Sequence, residues 1–204
     1  MITAFFHGFI LAFSLILPLG AQNMFLFNRG AVEKRWLRLL PVVIVAALCD
    51  TFLILLAVLG VSVVVLTIAW VKTTLIIAGI IFLIYIGWST WSSDHTNTSD
   101  PGVETEWSLG RLLLFTVSVS LLNPHAILDT IGVIGTNSLS YTASAKFFFT
   151  AACILVSWVW FLALALAGRW LGSVIALGNF RRILNRVSAL IIWLSAVYLI
   201  VNLF

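Results

Sequence analysis

The chain has 204 residues, of which 62% are hydrophobic and only 9% are charged, and its mean hydropathy is +1.17. A soluble domain usually carries about 25% charged residues, so this composition excludes a soluble enzyme. The net charge of +4 does not indicate a nucleic-acid partner, because the basic residues are confined to short segments between long apolar runs.

Six long apolar runs with few or no charged residues follow one another along the chain. A helix needs roughly 20 apolar residues to cross a hydrocarbon core of ~30 Å. We therefore predict an all-α integral membrane protein with six transmembrane helices that span a lipid bilayer. The predicted helices cover residues 3–28, 39–65, 72–92, 111–135, 147–169 and 183–203.

The first predicted helix is interrupted by the segment LPLGAQN at 17–23. Pro18 removes a backbone donor and clashes with the carbonyl four residues back, while Gly20 allows a positive φ or a close backbone approach. Gln22 and Asn23 add amide donors and acceptors. An opened turn here would suit the ammonium and carboxylate groups of an amino acid. The alternative is a simple proline kink, in which neighbouring polar residues satisfy the freed backbone groups.

Two acidic residues, Asp50 in the second helix and Asp129 in the fourth, are predicted to lie deep in the hydrocarbon. A charge at the centre of a helix costs ~2.5–3.5 kcal/mol on insertion scales, and neither residue has a Lys or Arg three or four positions away. The pattern favours binding of a cationic substrate or proton carriage, with substrate and proton competing for one carboxylate. The alternative is a neutral, hydrogen-bonded Asp that only joins helices.

The only long polar segment, residues 93–108, separates the third helix from the fourth. Its Ser, Thr and Asp content and its Asp-Pro-Gly sequence at 100–102 are typical of a loop. It divides the chain into 1–92 and 109–204, with three helices each. Because an odd number of helices gives the two parts opposite orientations in the membrane, this division predicts an inverted repeat.

A second interruption occurs in the fourth helix, at residues 122–129. A shift of 106 residues places Ser14 and Pro18 on Ser120 and Pro124, and it also places Asn23 on Asp129; chance alignment of two apolar helices is the alternative. Paired interruptions in two halves indicate the central site of a transporter. We predict a substrate- or proton-binding site of Asp50, Asp129, Asn23, Gln22 and Asn123, with helix breaks at Pro18, Gly20 and Pro124.

Neither a catalytic residue nor a metal or cofactor site is predicted, because no hydrolase, phosphate-loop or metal-ligand motif is present. His125 could shuttle protons, since its ordinary pKa is near 6.5, but it is equally suited to a structural hydrogen bond. We leave it outside the predicted site.

The basic residues predict an orientation in the membrane. Nine of them would share one side of a six-helix arrangement, and the other side would hold only Lys72 and Lys146. The positive-inside rule then places both termini outside the cell and the polar loop in the cytoplasm. The nine are Arg29, Lys34, Arg35, Arg38, Arg111, Arg169, Arg181, Arg182 and Arg186.

Four segments resemble the LysE family of bacterial amino-acid exporters, especially its lysine/arginine branch: residues 17–23, Cys49-Asp50, 121–130 and 157–161. The resemblance implies export of L-lysine, L-arginine or related amino acids across the cytoplasmic membrane, driven by the electrochemical gradient. Export of one positive charge against 100 mV costs ~2.3 kcal/mol, which antiport of one proton would cancel. A homodimer is also expected for so small a transporter.

Three other functions stay open from the sequence alone. The nearest is export of neutral amino acids of the threonine or homoserine type, or of another small metabolite, with both acids serving protons only. An intramembrane enzyme would have to rely on His125 and Asp129, which are four residues apart and so would share a helix face. A structural membrane subunit would leave the buried acids without a purpose.

Overall fold

The computed structural model describes residues 1–18, 20–33, 35–60, 69–92, 108–174 and 178–201. Every regular element within these ranges is a helix, in agreement with the predicted all-α class. Apart from Ser108, the predicted polar loop lies outside the described residues, as does Lys34 of the predicted cytoplasmic side.

The helices before the polar segment are α1 (Ile2–Ile16), α2 (Ala21–Val32), α3 (Trp36–Val58) and α4 (Ala69–Ser92). The helices after it are α5 (Leu109–Leu121), α6 (Pro124–Leu128), a π-helix (Asp129–Gly135), α7 (Thr136–Ser138), α8 (Ala143–Val174) and α9 (Gly178–Val201). The fourth predicted helix is therefore divided into α5, α6, the π-helix and α7, and its π-helical part was not predicted.

Two helices in the described residues, Trp36–Val58 and Ser144–Gly172, are each long and apolar enough to cross a membrane. Two further spans are counted if each bent pair is one crossing: α1 with α2, bent by 77°, and α5 with residues 126–138, bent by 54°. The apolar stretches in α4 and α9, Ile76–Ser92 and Arg186–Tyr198, are shorter. The protein thus has two to four candidate spans on these criteria, and six crossings stay a prediction.

Several predicted helix ends were wrong. The second helix was predicted over 39–65 but ends at Val58, and Gly60 follows with φ +87°. Glycine adopts this left-handed conformation and so terminates a helix readily, because it has no Cβ to clash with the backbone. The prediction missed this end because the apolar run continues past Gly60. Conversely, α8 extends beyond the predicted 147–169, since Lys146 and Arg169 end the apolar run without ending the helix. Residues 61–65 and 202–203 of the predicted helices lie outside the described ranges.

The long helix α8 is the element against which the first half packs. Both α1 and α2 lie along it, α3 also contacts it, and α3 in turn packs against α5 and the π-helix; α4 packs against α9. Three glycines, Gly30, Gly168 and Gly172, bring α2 and α8 so close that an added Cβ at any of them would meet backbone atoms of the other helix. Small residues allow such backbone contact between membrane helices.

Candidate functional site

A cavity of about 160 Å³ lies among the two bent helices, α3 and α8, with one lining residue from α9. Seven of the eight residues that the sequence predicts for the site line it: Pro18, Gly20, Gln22, Asn23, Asp50, Asn123 and Asp129. The eighth, Pro124, is the first residue of α6. The side chain of His125 is outside the described part of the structure. Both breaks and both acids therefore meet at one cavity.

The first break lies between α1 and α2. Gly20 precedes α2 with φ −72° and ψ 179°, and its N–H donates to the carbonyl oxygen of Pro18 at 2.8 Å. The expectation that Gly20 serves a positive φ or a close approach was wrong, because its backbone is extended and no described atom apart from those of its chain neighbours lies within 4 Å of an added Cβ. What the missing side chain provides here is open space in the cavity wall.

Asn23 closes the first break by hydrogen bonding. Its Nδ2 donates to the carbonyl oxygens of Ile16 at 2.7 Å and of Pro18 at 2.9 Å. An amide nitrogen has two hydrogens, so these two bonds use its whole donor capacity. Asn23 is buried and contacts the cavity, but its amide nitrogen serves the interrupted backbone, as the alternative for this segment anticipated.

Asp50 lies near the middle of α3 and is only 9% exposed. The hydroxyl of Ser157 on α8 donates to its Oδ2. Next to this pair, Trp158 Nε1 donates to the hydroxyl of Thr51 at 3.0 Å, so two side-chain bonds join α3 to α8 beside the cavity. Ser157 was not among the predicted site residues. The internal shift of 106 residues places Asp50 on Val156, which adjoins Ser157, and this correspondence could have identified it.

The second break surrounds Asn123, which is buried, between the end of α5 and the start of α6. The helix resumes when the N–H of Ile127 donates to the carbonyl of Asn123 at 3.0 Å. It then widens into the π-helix, whose first residue is Asp129. Asp129 is partly exposed and contacts the cavity. Single π-helical turns are rare and are frequent at functional sites.

Gln22 has a different environment from its neighbour Asn23. Its side chain is 6% exposed and contacts the cavity, but among the described residues its Nε2 has no hydrogen-bond partner. Two further polar residues that the sequence did not suggest, Thr130 and Ser195, also line the wall. Asp50 and Asp129 are the only ionisable residues among the described side chains of this wall.

A metal site would need several ligating side chains close together. Within the described ranges, no group of three or more His, Cys, Asp or Glu side chains could hold a metal ion. Cys49 and Cys153 are buried free thiols.

Bent apolar helices around an acidic, polar cavity are typical of multi-pass helical membrane proteins. The chain belongs to the family of LysE type translocators, whose family model matches residues 13–203. The family resemblance noted in the sequence is thus confirmed, and a translocator family fits the expectation of a transporter and not an enzyme.

Two relatives extend the comparison over almost the whole chain. YisU of Bacillus subtilis (strain 168), whose name proposes that it is an amino-acid transporter, is 50% identical over 201 residues, or 98% of this chain and 90% of that protein. The arginine exporter protein ArgO of Salmonella typhimurium (strain LT2) is 30% identical over 198 residues, or 96% of this chain and 92% of that protein. No solved structure matches the chain.

Proposed function

We propose that this protein is a secondary transporter that exports L-amino acids, chiefly arginine and lysine, across the bacterial cytoplasmic membrane in exchange for protons. The observation that carries the proposal is that Asp50, Asp129 and both helix breaks line one cavity. The 30% identity to an arginine exporter over nearly the full length supports the same substrate class.

The charge of the cavity favours a basic substrate. Carboxylates are costly inside a membrane and are found there where they face a substrate or proton pathway. A guanidinium or ammonium group on the substrate would compensate them, and a proton can do the same once the substrate has left. Cation and proton then alternate on the same carboxylates, which is a physical basis for exchange.

We further propose six membrane crossings in two inverted halves, 1–92 and 109–204, joined by a cytoplasmic segment 93–108, with both termini outside. The helix contacts support this arrangement, because every contact made by a helix of the first half is matched by a contact of the corresponding helix in the second half. The first bent pair packs on α8 and the second on α3; α3 packs on α8, and α4 on α9. Assembly as a homodimer stays a prediction.

Cysteine labelling in intact cells tests the topology. Ser140 is exposed in the turn before α8, so a membrane-impermeant maleimide should label Ser140→Cys from outside. Ser99→Cys, in the polar segment, should be labelled only after the cells are permeabilised. Labelling of Ser99→Cys in intact cells would overturn the proposed orientation.

Transport into inside-out membrane vesicles tests the function. Export corresponds to uptake in this orientation, and we expect arginine and lysine to accumulate only while the vesicle interior is kept acidic. Asp50→Asn and Asp129→Asn should each reduce the accumulation strongly, because the amide can neither carry a proton nor compensate a cation. Undiminished transport by both variants, at equal expression, contradicts the proposal.

The matched control is Glu104→Gln, which makes the same change in the polar segment between the two halves. It should transport as the unmodified protein does. Threonine and homoserine belong in the same measurement. Their transport in place of arginine and lysine would establish the neutral-substrate alternative.

A further inference from the structure

The first turn of α2 faces the cavity, with Gly20, Ala21, Gln22 and Asn23 all in its wall. Gly20 occupies the N-cap and no side chain caps the helix. The first backbone bond of the helix runs from the N–H of Met24 to the carbonyl of Gly20 at 3.0 Å. The N–H groups before Met24 therefore have no acceptor within the helix, and the helix dipole makes this end partly positive.

Gln22 provides a second, independent indication of a ligand at this place. Its side chain is 6% exposed and lines the cavity, and its Nε2 is without an acceptor among the described residues. A buried donor without a partner is costly in a native protein and calls for an explanation. A negatively charged group at the start of α2 would accept from Nε2 and from the backbone N–H groups together.

The distribution of charge determines what this group could be. The acids Asp50 and Asp129 come from other elements, α3 and the π-helix, and the described side chains that line the cavity include no Lys or Arg. An anion can therefore be received only by neutral donors, and the start of α2 offers backbone N–H groups together with the unpartnered amide of Gln22. An amino acid presents a carboxylate and a cationic group on one small molecule, which suits a cavity with donors at the start of α2 and acids on two other elements.

On the basis of the amino-acid transport proposed above, we propose that the first turn of α2 and the side-chain amide of Gln22 bind the α-carboxylate of the substrate. The cationic groups of the substrate then lie towards Asp50 and Asp129. This arrangement restricts the protein to molecules with a free carboxylate, and it excludes the corresponding decarboxylated or reduced amines even though their charge suits the acids.

Binding to the purified full-length protein tests this carboxylate site, through the rise in thermal unfolding midpoint that a ligand causes. Two matched pairs serve as probes: arginine with agmatine, which lacks the carboxylate, and threonine with threoninol, in which an alcohol replaces it. Within the pair that binds, only the amino acid should raise the midpoint. Gln22→Met, similar in shape but without the donor, should weaken binding roughly tenfold.

Gln22→Glu is the sharper variant, because it places a carboxylate where the substrate carboxylate would lie. It should abolish binding of the amino acid, and its unfolding midpoint without ligand reports whether the fold is intact. Agmatine binding as strongly as arginine, or unchanged arginine binding by both Gln22 variants, overturns the carboxylate site and leaves export of basic amino acids standing.

The converse failure is also distinguishable. Binding of threonine but not arginine, still dependent on the carboxylate and on Gln22, supports the carboxylate site and contradicts the basic substrate. Absence of binding by all four probes contradicts both proposals.

Discussion

The two helix breaks interrupt corresponding parts of the chain, but they are stabilised differently. At the first, Asn23 donates to two carbonyl oxygens across the gap, and the helix changes direction by 77°. At the second, the helix resumes after two residues, bends by 54° and widens into a π-helix that begins at Asp129. Under the internal shift Asn23 corresponds to Asp129. An amide can donate to a broken backbone, whereas an ionised carboxylate only accepts, so one position stabilises a break and the other presents an acid to the cavity.

The largest effect is expected when the amide of the first break is replaced by a carboxylate. Asn23→Asp loses both donors and sets a charge beside two carbonyl oxygens. The carbonyl of Ile16 would lose its side-chain donor, the carbonyl of Pro18 would keep only the N–H of Gly20, and a carboxylate would face both oxygens. We expect the free energy of unfolding to fall by roughly 2–4 kcal/mol. The thermal unfolding midpoint in detergent measures this. The reciprocal variant at the second break, Asp129→Asn, should alter the midpoint far less while it reduces transport.

Equal midpoints for Asn23→Asp and the unmodified protein would mean that the two breaks are equivalent after all. The same would follow if Asp129→Asn unfolded as readily as Asn23→Asp. Either result would remove the distinction between a stabilising amide and a cavity acid.

A smaller effect should distinguish the helices that follow the breaks. After the first break, α2 is held against α8 through glycines, and an added Cβ at Gly168 would meet the backbone of Phe27. Gly168→Ala should therefore destabilise the protein by about 1–3 kcal/mol, as overpacking usually does. In the π-helix after the second break, an added Cβ at Gly132 would have no atom within 4 Å.

Gly132→Ala is accordingly the matched control, and it should fold as well as the unmodified protein. Thermal unfolding of the two variants in the same detergent makes the comparison. If both alanines are tolerated, α2 and α8 can separate without cost, and the contrast between a tightly packed and a loosely surrounded helix is wrong.

The smallest effect concerns the serines that precede the two breaks. Ser14 is exposed and its hydroxyl donates to the carbonyl of Ile10 at 2.8 Å. Ser120 is 1% exposed, and its hydroxyl has no partner among the described residues. Ser120→Ala removes a buried, unsatisfied group and should stabilise the protein by up to about 1 kcal/mol, whereas Ser14→Ala should be nearly neutral.

The unfolding midpoint again measures the difference, and transport by both alanine variants should persist. Loss of transport in Ser120→Ala, with a normal midpoint, would instead show that this hydroxyl contacts a substrate or a water in the working protein. The second break would then contribute more of the site than its acid.

Hydropathy and proline positions predicted the helical class, both interruptions and part of the cavity wall, because these depend on local rules. Asp50 and Asp129 could be predicted as cavity residues for the same reason, because each is the only acidic residue in a long apolar run. The features that the sequence did not predict depend on how the helices pack in three dimensions. Ser157 matters because α8 brings it to Asp50, and Gly60 ends a helix inside an apolar run that has no polar boundary.

The π-helix could not be predicted either. It differs from an α-helix in its backbone hydrogen bonds, which join residues five apart, and no particular residue type marks that change. Gln22 and Asn23 illustrate the same limit within two positions. Their composition predicts two similar amides, but only the fold assigns one to the broken backbone and leaves the other, which also lines the cavity, without a partner for its Nε2 among the described residues.

Gly20 faces open space, since no described atom apart from those of its chain neighbours lies within 4 Å of the position that a Cβ would take. Its extended backbone is one that any residue adopts, so larger side chains can be accommodated there without strain. The size of the residue at this single position should therefore determine the largest molecule that the cavity admits. Lengthening the side chain step by step, from alanine to leucine, should lower the size limit for molecules that enter the cavity, with both carboxylates and both interruptions retained.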